Sequence, residues 1–563
     1  PPLELARARP FAPLASYPRT ARPLRDYQLE GVNWLLACWH ARRSNVLADE
    51  MGLGKTAQTL LALSWLCEHR GVRGPFLVVA PLSTLGHWQR EVGAWSNMRA
   101  LVLHGPAAVR QLLLRHELRH ADARGAPTGA LRCHVLITSY EHLVLERRAL
   151  RAVRWQYLVV DEAHRLKNPH TRLAASLREL RAEHVTLLTG TPVQNDVAEL
   201  VALFSFLDPA TFGGAAGEAL LLRYGSITRP EQVEALQHLL RPYLLRRTKA
   251  DLSTPLPEKR ETLLRVELTA TQKRVYRAIM DRAMEHLQNP RAALTNVFMQ
   301  LRKACNHPLL FEAAMPAEEL AMERAAAAAD RLEVLRAGSG AAVTASKRDA
   351  AVLAAGAAAG AAAGAAVSGA AEAELQRVID EGVEVLVRGS GKMVLLEKLL
   401  PRLKARGHKV LVFSQFATTL DLLGEYLELR RASLGSYERI DGGVGGAERQ
   451  AAIDRFQADA QSFLFLLTTR AGGQGINLAA ADTVILFDSD WNPQGDLQGM
   501  ARAHRLGQTR SVQVYRLITV GTYEQRMFER ACGKLSLEHA LLQGRLGDGG
   551  GGGGGSGDGG GGG

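Results

Sequence analysis

Short apolar runs that end in small or polar residues recur along the chain, and they constrain its fold more than any other feature. In the first part they are NVLADE (45–50), PFLVVAP (75–81), HVLITSY (134–140), YLVVDEAH (157–164) and VTLLTGT (185–191). Such runs are typical of strands buried on both faces of a parallel sheet. Segments of helical spacing separate them, so the sequence predicts an α/β fold with helices on both faces of a parallel sheet.

The same pattern returns later in the chain, in KVLVFSQ (409–415), FLFLLTT (463–469), TVILFDS (483–489) and VQVYRLIT (512–519). Because 563 residues exceed what one hydrophobic core usually serves, a second α/β lobe is expected. We predict six parts in chain order: a leader (1–22), a first lobe (23–212), a helical protrusion and linker (213–310), an Ala/Gly-rich insertion (311–388), a second lobe (389–543) and a Gly-rich disordered tail (544–563).

The composition favours an intracellular protein that binds a polyanion. The chain has 69 Lys and Arg against 57 Asp and Glu, a net charge of +12, which favours nucleic acid as a partner. Its five cysteines are scattered without CxxC or Cys/His spacing, so neither a disulfide framework nor a zinc site is indicated. The uncharged stretch 351–371 is interpreted as low complexity rather than a membrane span, because Ala and Gly contribute little transfer energy.

The segment LADEMGLGKT (47–56) predicts a phosphate-binding loop between a strand and a helix. Gly52 and Gly54 let backbone N–H groups approach phosphates, and the helix N-terminus adds partial positive charge. Lys55 would reach the β- and γ-phosphates, and Thr56 would ligate Mg²⁺. The strict motif has Gly where Asp49 stands, and a chance Gly-rich turn is the alternative.

The segment DEAH (161–164) follows the apolar strand YLVV and places two carboxylates at the carboxyl end of that strand. Ligands bind at this edge of such sheets. Asp161 would hold Mg²⁺, and Glu162 would orient the water that attacks the γ-phosphate. A solvated acidic turn is the alternative explanation.

The segment ARAHRLGQ (501–508) places Arg502 and Arg505 three residues apart in the second lobe. On one helical face, their planar, permanently charged groups suit the charge that spreads over a γ-phosphate in the transition state. A surface arginine pair is the alternative.

Together these segments resemble a Swi/Snf-type ATPase of helicase superfamily two. The ordered motifs are LRDYQLEGVNWL (24–35), VVAPLSTLGHWQRE (78–91), ITSYEHL (137–143), VVDEAHRLKN (159–168), LLTGTPVQND (187–196), LRKACNHPLL (301–310), VLVFSQF (410–416), TTRAGGQGINL (468–478) and DWNPQGDLQGMARAHRLGQ (490–508). Residues 229–252 and 521–543 are most similar to the kismet-like branch of the chromodomain-helicase-DNA-binding family. The resemblance implies two RecA-like parallel-sheet lobes with helical protrusions and a low-complexity insertion.

The resemblance also implies residue roles. The ATP site would comprise Gln28, which recognises adenine, the loop Asp49, Glu50, Met51, Gly52, Leu53, Gly54, Lys55 and Thr56, and Gly475 with Arg502 and Arg505 from the second lobe. Coupling of hydrolysis to movement would fall to Thr189, Gly190 and Thr191. DNA contacts, mostly to backbone phosphates, would come from Pro81, Ser83, Thr138, Ser139, Ser414, Gln415, Thr468, Arg470 and Trp491. Each of these polar residues is equally suited to capping a strand end or forming a turn.

Several positions depart from the family pattern. Gln474 stands where an apolar residue is usual, and Gly443 stands where Ser or Thr is common, which puts one DNA contact in doubt. Gly495, Gly499 and Met500 interrupt the last motif, and extra glycines are expected to loosen the segment that carries the arginines. No catalytic group is removed, so activity is expected.

The function predicted from these observations is an ATP- and Mg²⁺-dependent motor that translocates on the double-stranded DNA of nucleosomes. It would act in the nucleus, with histones and other remodeller subunits as partners and without a membrane. Three alternatives stay open at this point. They are a Swi/Snf-type duplex translocase in repair or transcription, a strand-separating helicase, and a catalytically silent chromatin-binding scaffold.

Overall fold

The computed structural model describes residues 14, 24–121, 127–190, 197–225, 230–252, 256–285, 290–311, 322, 325–326, 328–329, 332, 369–459, 461–472, 476, 478–505 and 507–543. The strands in these ranges are β1 (Asn45–Leu47), β2 (Phe76–Ala80), β3 (Ala100–Leu103), β4 (Arg119–Ala121), β5 (Pro127–Leu131), β6 (Val135–Ser139), β7 (Arg154–Trp155), β8 (Tyr157–Val160), β9 (Arg181–Ala182), β10 (Val185–Leu188), β11 (Leu244–Leu245), β12 (Lys259–Val266), β13 (Val410–Ser414), β14 (Ser436–Ile440), β15 (Ser462–Thr468), β16 (Thr483–Leu486) and β17 (Val512–Thr519).

The first lobe is a seven-stranded sheet in the order β11-β1-β10-β8-β2-β6-β3, and every pairing in it is parallel. Its α-helices are α1 (Asp26–His40), α2 (Lys55–His69), α3 (Leu85–Trp95), α4 (Ala107–Leu112), α5 (Tyr140–Leu145), α6 (Arg147–Arg151), α7 (Arg172–Arg178), α8 (Val197–Leu207), α9 (Pro209–Phe212), α10 (Gly214–Tyr224) and α11 (Pro230–Leu240). Short helical turns cover Leu82–Thr84, Leu113–Glu117, Ala163–Leu166 and Lys249–Asp251.

The second lobe is a six-stranded sheet in the order β12-β17-β16-β13-β15-β14, again with parallel pairings throughout. The helices after β11 are α12 (Ala270–Glu285), α13 (Pro290–Asn306), α14 (Gly369–Gly389), α15 (Gly391–Ala405), α16 (Ala417–Leu429), α17 (Arg431–Leu434), α18 (Gly446–Ala458), α19 (Thr469–Gly472), α20 (Pro493–Met500) and α21 (Tyr523–Gln543), with a 3₁₀ turn at Pro308–Leu310. The chain thus leaves the edge of one sheet at β11 and enters the edge of the other at β12.

Each sheet is covered on both faces, as predicted. Along β2, Leu77 and Val79 face one core of the first lobe, and Phe76 and Val78 face the other. Residues 410 and 412 of β13 face one core of the second lobe, whereas residues 411 and 413 face the other. This alternation explains why the strands are apolar throughout: a strand covered on both faces has no side exposed to water.

The nine strands predicted from apolar runs are all present, and the prediction of two parallel-sheet lobes is confirmed. The sequence analysis missed strands at the sheet edges, notably β12 and β14. In β12 the sequence KRETLLRV carries charged residues, and most of its side chains are exposed or half-buried. An edge strand has polar neighbours on its open side, so it lacks the continuous apolar run that identifies a central strand.

Parts of the predicted insertion belong to the packed second lobe. Within α14, Ile379, Val383 and Leu386 are buried in the same core as β13, together with Ala325 and Leu332. Residues 333–368, most of the leader and the Gly-rich tail lie outside the described residues, so the low-complexity and disorder predictions there stay predictions. Among the described residues, no helix is long and apolar enough to span a membrane.

Candidate nucleotide site

The predicted phosphate loop lies between β1 and α2, at the carboxyl edge of the first sheet. Gly52 and Gly54 have φ angles of +89° and +81°, a region that glycine adopts without steric cost. The loop is also tightly enclosed, because a Cβ atom on Gly54 would lie 2.5 Å from Nε2 of Gln28. Both glycines are therefore required by the backbone conformation of the loop.

Hydrogen bonds from α1 and α2 fix this loop. The carbonyl oxygen of Leu53 accepts from the hydroxyl of Tyr27 at 3.1 Å and from the amides of Gln28 and Gln58 at 3.3 Å each. Gln28 also caps its own helix, since its Oε1 accepts from the backbone N–H of Arg25 at 3.2 Å. The residue predicted to recognise adenine thus contacts the phosphate loop directly.

Lys55 is the first residue of α2, and its ammonium group donates to the carbonyl oxygen of Asp49 at 2.7 Å. Burial lowers the pKa of Lys55, while the carboxylates of Glu162, Asp49 and Asp161 oppose that shift. The ammonium group therefore lies among the acidic side chains predicted to share the site, at the start of a helix whose N-terminus favours anions.

Asp161 follows β8 and is held by an indole that the sequence analysis did not single out. The N–H of Trp88, a fully buried residue of α3, donates to Oδ2 of Asp161 at 2.9 Å. Burial and the adjacent charge of Glu162 raise the pKa of Asp161 to about 6. Two neighbouring carboxylates in a desolvated position are stabilised by a cation, which fits the predicted ligation of Mg²⁺.

Glu162 has a left-handed backbone, with φ at +51°, which is uncommon for a residue other than glycine and is typical of functional sites. Its Oε2 lies 3.3 Å from Nδ1 of His164. Burial would raise the pKa of Glu162, but the hydrogen bond and charge of His164, with the charges of Lys55 and Arg502, hold it below its usual range. These neighbours thus favour the ionised form of Glu162.

The residues predicted to couple hydrolysis to movement begin after β10. Thr189 is fully buried, and its N–H donates to the carbonyl oxygen of Leu47 at 3.2 Å. Gly190 packs against the phosphate loop, since a Cβ there would lie 2.5 Å from Cγ of Met51. Thr191 and Gly475, the latter predicted to complete the site from the second lobe, lie outside the described residues.

The second lobe brings its arginine pair to the phosphate loop. A Cβ on Gly52 would lie 3.1 Å from Cβ of Arg505, so the two lobes touch at this point. Burial and the neighbouring Arg505 lower the pKa of Arg502 to about 10, whereas Glu162 and Asp161 oppose the shift. Burial also lowers the pKa of Arg505, against the charge of Glu91. The charges of Glu162 and Asp161 on one lobe therefore act on Arg502 of the other, and the charge of Glu91 acts on Arg505.

The residues predicted to contact DNA differ in their surroundings, and several of their side chains form hydrogen bonds within the protein. Thr138 is buried and donates to the carbonyl oxygen of Leu103 at 3.0 Å, while Ser139 accepts from the N–H of His142 at 3.2 Å as the N-cap of α5. Ser414 is buried and donates to Oδ2 of Asp488 at 2.5 Å. For these three side chains the structure favours the alternative of strand-end capping.

The other predicted contacts differ in exposure. Trp491 is 47% exposed and stacks at 5.9 Å on Tyr523, while Ser83 and Gln415 are half-buried. Pro81 is buried before the turn Leu82–Thr84, and Thr468 accepts from the N–H of Ala471 at 3.3 Å. The side chain of Arg470 lies outside the described residues.

The glycines that interrupt the last motif have packing roles. A Cβ on Gly499 would lie 3.3 Å from the ring of Phe413, and one on Gly495 would lie 2.9 Å from Oδ2 of Asp490. The helix α20 forms through both positions. Gly499 therefore lets the helix approach β13 closely, and Gly495 lets it approach the loop that holds Asp490. The expectation that these glycines loosen the arginine-bearing segment stays a prediction.

The fold and the site define the class of this protein: a two-lobed, parallel-sheet protein of the helicase type, with a phosphate loop on one lobe and an arginine pair on the other. The model of the SNF2-related domain matches residues 27–310, and that of the helicase conserved C-terminal domain matches residues 391–507. The chain belongs to the SNF2-related family, which confirms the resemblance drawn from its motifs.

Two relatives are chromodomain-helicase-DNA-binding proteins. Chromodomain-helicase-DNA-binding protein 6 of Mus musculus is 44% identical over 532 residues, and the match covers 93% of this chain and 18% of the relative. Protein 8 of Xenopus tropicalis is 45% identical over 531 residues, covering 93% of this chain and 22% of the relative. The SWI2/SNF2 ATPase core of Sulfolobus solfataricus in complex with dsDNA is 26% identical, with a TM-score of 0.41 over 95% of this chain and 96% of that one. The chain thus spans about a fifth of the length of these two curated relatives.

Proposed function

We propose that this chain is the ATP-hydrolysing motor of a chromatin remodeller, which couples hydrolysis to translocation on the double-stranded DNA of nucleosomes. The observation that carries the proposal is that Arg505 of the second lobe packs against Gly52 of the phosphate loop, while Glu162 and Asp161 of the first lobe attract the neighbouring Arg502. Basic side chains of one lobe thus lie beside the loop and the carboxylates of the other. The names of the relatives, which refer to chromodomains, helicases and DNA binding, support a DNA substrate. Nuclear localisation and contact with histones and other remodeller subunits belong to the same proposal.

Each residue has a part in the proposed reaction. The loop from Asp49 to Thr56 binds the phosphates through its N–H groups, and Lys55 exchanges its bond to the loop carbonyl for one to a phosphate oxygen. Glu162 orients the attacking water. Arg502 and Arg505 stabilise the charge that develops on the γ-phosphate, as arginines do in related phosphoryl transfers.

Mg²⁺ fits the residues of this site. Asp161 is a desolvated carboxylate beside a second one, and together with Thr56 it supplies the hard oxygen ligands that Mg²⁺ prefers. Bound there, the ion would neutralise charge on the β- and γ-phosphates. Hydrolysis then alters the contact between the lobes, and alternating closure and opening would shift the grip on DNA.

The experiment measures ATP hydrolysis by the purified chain alone, with duplex DNA and with nucleosomes. We expect stimulation by nucleosomes well above that by duplex DNA. Equal stimulation would indicate a general duplex translocase, whereas no stimulation of a folded chain would indicate a scaffold. Strand separation of a labelled duplex tests the remaining helicase alternative, and none is expected.

Two variants test the site itself. Lys55→Ala and Glu162→Gln should each lower turnover about 100-fold or more, the first by weakening nucleotide binding and the second with nucleotide binding retained. The matched control is Lys398→Ala, since Lys398 is an exposed lysine of α15 in the second lobe. Normal turnover by Lys55→Ala would refute the assignment of the site.

A further inference from the structure

Residues 244–251, which carry the short basic run LRRTK, connect the two lobes and run along the phosphate loop. We call them the crossing strap. Leu244 and Leu245 pair in parallel with Val46 and Leu47 of β1, and the N–H of Glu50 donates to the carbonyl oxygen of Arg247 at 2.8 Å. The strap therefore continues the sheet beside the loop before the chain enters the second lobe.

Within the strap, Arg247 donates three hydrogen bonds to the carboxylate of Asp49. Its NH2 lies 2.6 Å from Oδ2 and its Nε 3.1 Å from Oδ1 of Asp49. Its backbone N–H also donates to Oδ1, at 3.2 Å. Asp49 is fully buried, so this two-pronged ion pair offsets the cost of a carboxylate removed from water, and its planar fork fixes the orientation of that carboxylate.

Gln58 and helix α1 also contact this ion pair. The amide N of Gln58 donates to Oδ2 of Asp49 at 3.1 Å, and its Oε1 accepts from NH2 of Arg247 at 2.9 Å. Helix α1 has glycine at position 31 where these groups pass. A Cβ on Gly31 would lie 1.8 Å from Oε1 of Gln58 and 2.7 Å from NH2 of Arg247. A side chain at position 31 would therefore displace Gln58 or the guanidinium group of Arg247.

The ion pair affects phosphate binding because Asp49 is the first residue of the phosphate loop, at a position where the strict motif has Gly. An uncompensated carboxylate here would repel a triphosphate, since charges interact strongly in a desolvated site. Held by Arg247, Asp49 instead presents its carbonyl oxygen to Lys55 at 2.7 Å. Arg247 orients Asp49, and the carbonyl oxygen of Asp49 in turn orients Lys55, the residue proposed to bind the phosphates.

We propose that Arg247 is a positioning residue for nucleotide binding: it neutralises and orients Asp49, and thereby sets the phosphate loop and Lys55 for the phosphates. The inference rests on the proposed ATP-binding function. It differs from a merely structural role in one respect, because a structural ion pair would change the melting temperature without changing nucleotide affinity in the folded protein.

The test is a double-mutant cycle read out as the Kd of a fluorescent ATP analogue at a temperature where every variant is folded. The full chain carries Asp49→Asn, Arg247→Gln, or both. We expect Arg247→Gln alone to weaken binding roughly tenfold or more, as the loss of one partner of a buried charge pair does. In the Asp49→Asn background the same substitution should cost less than about threefold, because the charge that it compensates is absent.

Two further variants keep the cycle decisive. Arg241→Gln, at an exposed arginine shortly before the strap, should leave the Kd unchanged. Arg247→Lys should rescue binding only partly, since one ammonium group cannot span both carboxylate oxygens and Gln58; it replaces Arg247→Gln in the cycle if the latter does not fold.

The outcomes separate this inference from the function on which it rests. Wild-type chain that binds no nucleotide would refute the proposed function. Wild-type chain that binds nucleotide, combined with equal losses from Arg247→Gln in both backgrounds, would refute the inference alone. A lower melting temperature with unchanged Kd would refute it as well.

Discussion

Two clusters of charged side chains differ in how their charges are arranged. One is the nucleotide face, formed by Asp161 and Glu162 of the first lobe with Arg502 and Arg505 of the second. The other is a polar core within the second lobe. The polar core consists of Asn306, Lys392, Asp488 and Glu524. The ammonium group of Lys392 donates to Glu524 at 2.6 Å, to the carbonyl oxygen of Phe487 at 2.8 Å and to Asn306 at 3.2 Å. Asp488 accepts from Asn306 at 2.7 Å. Charges in this core are balanced by partners within the protein.

At the nucleotide face, by contrast, like charges stand together. Asp161 and Glu162 are adjacent on one lobe, and Arg502 stands beside Arg505 on the other. Burial and the like-charged neighbour shift the pKa of Asp161 up and that of Arg502 down, in each case against the charged form. Such a face is suited to a charged ligand, because a magnesium-bound triphosphate would offset the repulsion within each pair of like charges. The polar core therefore serves the stability of the fold, whereas the crowding of like charges at the nucleotide face agrees with the proposed site.

The largest effect should follow from Arg502→Gln. If this arginine serves the reaction, ATP turnover should fall by about 10³-fold, the scale at which arginines contribute to phosphoryl transfer. The melting temperature should change little, since the substitution removes both the repulsion from Arg505 and the attraction of Glu162 and Asp161. Turnover under saturating ATP and DNA, with thermal unfolding, measures both.

Arg530→Gln is the control, because Arg530 is an exposed arginine of α21 on the same lobe. It should leave both quantities unchanged. A destabilised Arg502→Gln protein with near-normal turnover would reverse the comparison and make Arg502 a structural residue.

The next effect is on stability and belongs to the polar core. Lys392→Met removes an ammonium group that is 1% exposed and leaves Glu524 buried without its cation. The free energy of unfolding of the second lobe should fall by about 3 kcal/mol, the cost of breaking a buried ion pair. Urea denaturation measures it, and nucleotide affinity of the folded protein should be unchanged.

Adding Glu524→Gln to that variant should restore part of the stability, since the uncompensated charge is then gone. Lys398→Met, at an exposed position of the same helix, should be neutral. If Lys392→Met abolished ATP binding in a folded protein, the polar core would belong to the site.

A third prediction concerns pH and His307, whose ring is 3% exposed. Its Nδ1 accepts from the N–H of Leu309 at 3.1 Å, and its Nε2 lies 2.9 Å from the carbonyl oxygen of Leu386, which suits the neutral ring. Burial lowers the pKa of His307 to about 4, and the bond to Leu386 opposes this only partly. Below about pH 6.5 the unfolded chain therefore binds a proton that the folded chain does not.

The stability of the second lobe should accordingly fall between about pH 6.5 and pH 4, by about 2 kcal/mol at pH 5. In His307→Asn, which does not titrate, the difference in urea unfolding between pH 7.5 and pH 5 should be smaller by that amount. An unchanged difference would show that His307 contributes no pH dependence.

How far the sequence predicts the molecule depends on the distance between interacting residues. The central strands and the phosphate loop are local patterns, in which a few consecutive residues determine both conformation and chemistry, and all nine predicted strands are present. The spacing of Arg502 and Arg505 suggested a role at a γ-phosphate, but their assignment to the ATP site of the first lobe came only from the family resemblance. The partners of Asp49 were not predicted at all, because Arg247 lies 198 residues away and a short basic run has no spacing that identifies an ion pair.

The predicted DNA contacts illustrate the opposite limit. Small polar residues at strand ends are suited equally to a phosphate and to a backbone N–H, and the sequence contains nothing that distinguishes these uses. The structure separates them by burial: Thr138, Ser139 and Ser414 are buried with partners of their own, whereas Trp491 is exposed. Trp88 was missed because an indole on the buried face of an amphipathic helix gives no signal until its partner Asp161 is known.

The smallest predicted effect tests that separation at Ser139. As the N-cap of α5 it satisfies the N–H of His142 at 3.2 Å, so Ser139→Ala should lower the free energy of unfolding of the first lobe by about 1 kcal/mol. Ser139→Asp, which keeps a capping oxygen, should restore most of this loss. Duplex affinity at fixed salt should be unchanged in the alanine variant, because the hydroxyl is already engaged within the protein.

Binding to DNA in this chain is expected to involve phosphates, so the slope of log Kd against log salt reports how many are contacted. Ser139→Ala should leave that slope as in the wild type. If affinity fell in Ser139→Ala at unchanged stability, a buried capping hydroxyl would have to become exposed when DNA binds. The distinction between side chains that are hydrogen-bonded within the protein and those open to a ligand would then hold only for the DNA-free protein. Thr138 and Ser414 would have to be reconsidered as DNA contacts for the same reason.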